Sequence, residues 1–175
     1  MCPVASAQQR PIDTERSSIA IHVGKAGLLS AAGHDHWVNA PIASGAIDES
    51  ARRVQFTVES AKMTVRPDPK VDAKTQAQIQ KDMEDMTLET SRYPAITFQS
   101  ARIEPSADGW NVEGALTLHG VTKTVRLKVT KDGDAYVSRT VLKQTDYGIK
   151  PVSVGGGVVK VKNEIELEFR IVPGT

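Results

Sequence analysis

Apolar and polar side chains alternate with a period of two along most of this chain. From Val121 one parity reads Val121, Lys123, Val125, Leu127 and Val129, and the other reads Thr122, Thr124, Arg126, Lys128 and Thr130. Successive strand side chains point to opposite faces, so such a run predicts a half-buried strand. Val112, Gly114, Leu116 and Leu118 share a parity upstream, and the parity changes at His119-Gly120, which predicts a tight corner or bulge there. Asp108-Gly109 and Asp132-Gly133 each separate two alternating runs, as hairpin turns do. The last run is the cleanest: Val159, Val161, Ile165, Leu167, Phe169 and Ile171 lie on one face, against Lys160, Lys162, Glu164, Glu166, Glu168 and Arg170.

Further strands are expected within Ile12–Val23, over Trp37–Ala40 and Ile42–Ile47, over Arg53–Thr64 with Val54, Phe56 and Val58 marking its apolar positions, and over Ala135–Leu142. The period changes once. Pro67 and Pro69 interrupt the sheet pattern, Asp72 is a suitable N-cap, and Ile79, Met83 and Met86 follow at spacings of four and three. These features predict one helix with a single dry stripe. About eight antiparallel strands and one helix result, in a single domain over residues 12–173 behind a polar, disordered lead-in over 1–11. One-sided strands of this number fit a closed barrel and a two-sheet sandwich equally well.

Composition narrows the function classes. Lys and Arg number 22 against 21 Asp and Glu, and no basic block stands out, so neither nucleic acid nor an anionic membrane surface is an expected partner. No apolar run approaches the roughly 20 residues of a membrane helix. Aromatics make up 5%, so any core or cavity is mainly aliphatic. Gly155-Gly156-Gly157 lacks the Lys-Ser/Thr pair and following helix of a phosphate loop. Cys2 is the single cysteine, which excludes an intramolecular disulfide. It reads as a free thiol near a floppy end, with a lipid-carrying N-terminal residue as the alternative.

Three stretches resemble the YceI-like family of polyisoprenoid-binding proteins. They are Tyr93-Pro94-Ala95-Ile96-Thr97-Phe98-Gln99-Ser100, Gly114-Ala115-Leu116-Thr117-Leu118-His119-Gly120-Val121-Thr122-Lys123, and Thr145-Asp146-Tyr147-Gly148-Ile149. The resemblance implies an eight-stranded antiparallel, lipocalin-like barrel with a short helix covering one end. It also implies an elongated apolar cavity for an isoprenoid, a quinone or another long-chain amphiphile, export to the periplasm, no required cofactor, no catalysis, and a monomer or homodimer. Two departures stand out. Where many members have a Gly followed by an aromatic, this chain has Gly33-His34-Asp35-His36-Trp37, which marks a Gly-His-Asp-His subgroup; and Gln144 stands where many have Arg.

The candidate cavity wall comprises Phe56, Val58, Met83, Met86, Ile96, Phe98, Leu116, Leu118, Val125, Leu127, Leu167 and Phe169. The same residues would serve equally as a filled core. His34 and His36, two apart, share a face if extended and suit a divalent metal such as Zn²⁺ or Cu²⁺, given a third ligand such as His119 or His22. The alternative is hydrogen bonding in a Gly-containing turn for His34 and Asp35, with His36 packed beside Trp37. For His119 the expected role is structural, fixing the corner at Gly120. No nucleophile–His–acid arrangement or carboxylate pair is legible, so enzyme activity is the weakest reading; a ligand-free scaffold is a further alternative.

Overall fold

A computed structural model describes residues 9–26, 35–157 and 159–175. Its strands are β1 (Arg10–Pro11), β2 (Ser18–Ala26), β3 (His36–Asn39), β4 (Ile42–Asp48), β5 (Arg53–Glu59), β6 (Thr64–Val65), β7 (Ala95–Ser106), β8 (Gly109–Leu118), β9 (Val121–Asp132), β10 (Ala135–Lys143), β11 (Ser153–Val154) and β12 (Val159–Ile171). The helix α1 spans Ala73–Asp82 and continues into a wider π turn over Met83–Thr87. Every strand pairing is antiparallel, and the curled sheet runs in the order β1-β4-β5-β7-β8-β9-β10-β12-β2-β3-β6, with β11 beside β12.

The described strands outnumber the eight expected. Three of them, β1, β6 and β11, are two residues long, too short to carry an alternation. Arg10 and Pro11, expected in the lead-in, pair with Ile47 and Ala46 of β4. Arg53–Thr64, expected as one strand, is divided by a short 3-10 turn at Ser60–Lys62, whose Ser60 Oγ donates to the Tyr93 carbonyl at 2.7 Å. That turn carries the chain from β5, third along the sheet path, to β6 at its far end, where β6 pairs with β3.

Turn chemistry sets the register of the long strands. His119 and Gly120 form a two-residue loop between Leu118 and Val121 with φ of 52° and 72°. Positive φ at both central positions is the type I′ geometry whose twist matches paired strands. The ladder between β9 and β10 is brief, covering only Asp132–Thr130 against Ala135–Val137. Beyond it the Ser138 hydroxyl takes the Lys128 carbonyl at 2.8 Å, a side-chain bond in place of a ladder bond, and the two strands part.

The helix is anchored at both ends. Asp72 accepts from the backbone N–H of Lys74 and of Thr75, the expected N-cap arrangement. Gln80 ties the last turn to β6: its Oε1 accepts from the Val65 N–H at 2.8 Å and its Nε2 donates to the Met63 carbonyl at 2.9 Å. Ile79 and Met83 pack against the buried core.

A two-chambered apolar interior

Parity along the strands aims one set of apolar side chains into the curl. Several of them remain only half buried although they point inward, among them Phe56, Ile96, Leu116, Val125, Leu127, Leu167 and Phe169. A filled core would bury them completely. They instead border a cavity of about 260 Å³ roofed by Ile79, Met83 and Leu88. Eleven of the twelve candidate wall residues line it: Phe56, Val58, Met83, Ile96, Phe98, Leu116, Leu118, Val125, Leu127, Leu167 and Phe169. Met86 does not. It is 70% exposed, because the i→i+5 turn over Met83–Thr87 rotates it off the stripe that α-helical spacing would give. Ile19, Ile21, Val23, Val38, Leu142, Val161 and Ile165 complete much of the wall. The alternation of β2 and β12 marks all of these positions except Val38 of β3 and Leu142 of β10.

The polar lining is sparse: His36, Asp82, Thr87, Thr140 and Gln144 among the described residues. None is a lysine or an arginine. Gln144, in place of the Arg expected from the resemblance, is buried and donates through Nε2 to the Lys162 carbonyl at 2.8 Å. Val125 and Leu127 face the chamber from β9, and Thr140 and Leu142 from β10, on either side of the interrupted ladder.

A second cavity of about 300 Å³ lies beyond Phe56, Phe98, Leu127 and Phe169, the four residues that line both spaces. Its apolar wall includes Val54, Ile103, Trp110, Val112 and Ile171, and its charged lining includes Asp48, Glu49, Arg52, Arg53 and Lys131. Tyr136 spans it, donating to Glu49 Oε1 at 2.5 Å with its ring edge-on to Trp110 at 5.4 Å. Burial first, then the Glu49 carboxylate, pushes the Tyr136 phenol up to about 12.

The three described histidines, His22, His36 and His119, do not converge. His34 lies outside the described residues. His36 opens β3 opposite Val23 and lines the first chamber. His22 and Asp35 meet with 3.2 Å between His22 Nε2 and Asp35 Oδ2, and the His22 ring packs near Trp37 at 4.9 Å. Asp35 also accepts from the Lys25 N–H, and that bond above all holds its carboxyl below the usual range. His119 is a structural clamp: Nε2 lies 2.6 Å from Glu89 Oε2, Nδ1 lies 3.2 Å from the Tyr147 carbonyl, and its ring packs on Tyr93 at 4.3 Å. The three stretches that carry the family resemblance therefore meet around this one imidazole. Among the described residues no three His, Cys, Asp or Glu side chains are grouped as a metal site would need.

The model of the YceI-like domain matches residues 11–172. The chain belongs to the YceI-like family. Its curated relatives include a UPF0312 protein of Pseudomonas aeruginosa, 34% identical over 73 residues, which covers 36% of this chain and 38% of the relative. A UPF0312 protein of Yersinia pseudotuberculosis is 43% identical over 49 residues, covering 27% and 26%. The chain thus spans well under half the length of the curated relatives it matches. Among solved structures, Burkholderia cenocepacia BcnA superposes with a TM-score of 0.60 at 17% identity, over 91% of this chain and 98% of that one. A polyisoprenoid binding domain from Saccharophagus degradans, implicated in plant cell wall breakdown, gives 0.58 at 16% identity, over 92% and 95%. At these identities the likeness concerns the fold. In this YceI-like chain, as in any member of a fold family, function has to be argued from the site. No described helix is long and apolar enough to cross a membrane.

Proposed function

We propose that this protein binds a long-chain amphiphile, an isoprenoid or a molecule of similar shape, by burying its tail in the barrel interior, and that it does so without catalysis. The observation that carries this reading is the inward apolar wall left half buried around a cavity of about 260 Å³. Removing a tail from water is worth about 0.8 kcal/mol per CH₂, so such a wall suffices to hold one and no reactive group is needed. The polyisoprenoid-binding description of the structurally similar Saccharophagus domain supports the same class of ligand.

The head group follows from the lining. An anionic head entering the first chamber would meet Asp82 and no lysine or arginine among the described wall residues. A buried unpaired charge is strongly disfavoured, so the chamber suits a ligand whose buried end is uncharged, such as a prenol or a quinone. The compartment proposed is the periplasm, where a carrier shields such a tail from water between membranes.

Organic extraction and mass spectrometry of protein purified from its native host test the reading. A long-chain neutral amphiphile is expected at near-stoichiometric amount. Protein that carries none, and that takes up neither a prenol nor a quinone on titration, overturns it. Fractionation of the same cells tests the compartment, with recovery in the periplasmic fraction expected.

A further inference from the structure

The chain has three phenylalanines, and all three stand at the boundary between its two cavities. Phe56 and Phe98 are register partners across β5 and β7, with ring centroids 5.4 Å apart and planes inclined by 28°. Phe169 joins them from β12, and Leu127 completes the boundary. Glycine stands against the Phe98 ring and against the base of the Phe56 side chain. A Cβ on Gly114 would lie 2.5 Å from Phe98 Cζ, and one on Gly45 would lie 2.8 Å from Phe56 Cβ, so these side chains rest against bare neighbouring backbone. Phe98 is 5% exposed, whereas Phe56 and Phe169 are only half buried.

We infer that Phe56, Phe98 and Phe169 form a septum that sets the length of tail the barrel admits. The inference rests on the amphiphile-binding reading and adds a specificity-determining element to it. Each cavity alone is at or just below the lower end of the roughly 300–1,000 Å³ typical of small-molecule sites, while the two joined lie well within it. A tail that ends at the septum fills the first chamber with the rings undisturbed. A longer one must turn the rings of Phe56 and Phe169 aside to reach the second chamber, or leave its excess carbons in water.

Affinity for a homologous series of linear alkanols tests this, read by displacement of an environment-sensitive fluorophore. In the wild type, affinity rises roughly fourfold per added methylene, equivalent to about 0.8 kcal/mol, and stops rising at a limiting length. Phe56→Leu and Phe169→Leu open the septum and move that limit to longer alkanols. Leu127→Phe closes it further and moves the limit to shorter ones, so one direction stays readable if an opening variant fails to fold. Thermal melts of each variant identify those that fold. A limit that stays in place in every folded variant overturns the septum while leaving the amphiphile reading intact. A wild type that binds no alkanol of any length overturns the septum, and overturns the amphiphile reading as well where a prenol and a quinone also fail to bind.

Discussion

His119 and Glu89 are bonded to each other, and each occupies the left-handed region of backbone space, at φ of 52° and 46°. Non-glycine residues adopt that region at a cost, so two such residues in one contact mark a locally determined structure. The pair joins the segment after the π turn to the β8–β9 hairpin, and the Tyr147 carbonyl adds the third stretch. The His119 side chain is 10% exposed, so Glu89→Ala leaves a nearly buried nitrogen without its partner. The expected loss is about 1–3 kcal/mol, measured by urea denaturation. A cycle with His119→Ala should show a coupling of at least about 0.5 kcal/mol; strictly additive losses would mean that the contact contributes nothing.

Gly114 is required by the ring it faces. A methyl there meets Phe98 Cζ at 2.5 Å and the Gln99 carbonyl oxygen at 2.7 Å, and the carbonyl belongs to a paired strand. Gly114→Ala is expected to cost about 1–3 kcal/mol, the usual range for overpacking. Phe98→Leu in the same chain should recover part of that loss, because it vacates the site the methyl needs. A double variant no more stable than the sum of its parts would trace the cost to the backbone contact alone.

The alternation reported which side chains point inward, but not what they enclose. Val125, Leu127, Leu167 and Phe169 line the first chamber as their parity requires. Met86 departs because a π turn changes the helical phase, and nothing in Met-Glu-Asp-Met announces that turn. The short pairings of Arg10–Pro11 and Thr64–Val65 are too brief for any period to reveal. The septum was equally hidden: it needs Phe56 to stand opposite Phe98 and Phe98 to lie over Gly114, relationships fixed by cross-strand register. The resemblance stretches also pointed elsewhere than the ligand wall at one position, since Tyr93, His119 and Tyr147 build a clamp beside the chamber.

Tyr136 should make stability fall at high pH. Burial and Glu49 raise its folded pKa from 10.0 to about 12, so the fold favours the neutral phenol. A raised folded pKa gives a contribution fully present below the unfolded value and lost as pH rises through the folded one. The decline therefore spans pH 10 to about 12. Tyr147, also raised by burial, acts in the same direction, so the measurement is a difference: urea midpoints of wild type minus Tyr136→Phe across this window. That difference should shrink with rising pH, and a constant difference would exclude a titrating role for Tyr136.

Gln80 ties the cap helix to the curled sheet. Its amide satisfies the Val65 N–H and the Met63 carbonyl, and both Val65 and Met63 are buried residues lining the first chamber. Gln80→Ala strips a partner from two buried backbone groups, at about 1–3 kcal/mol for each left unsatisfied. Because α1 itself buries no residue completely, this loss falls on the docking of the helix more than on the curled sheet. Amide exchange should therefore accelerate in α1 and β6 while β7–β9 keep their protection. If the helix roofs a bound tail, release of a neutral amphiphile should accelerate about tenfold for each 1.4 kcal/mol of lost docking. Stopped-flow displacement from wild type and Gln80→Ala reads this directly. Faster exchange in α1 with an unchanged release rate would show that the tail leaves by another route, such as the interrupted ladder between β9 and β10.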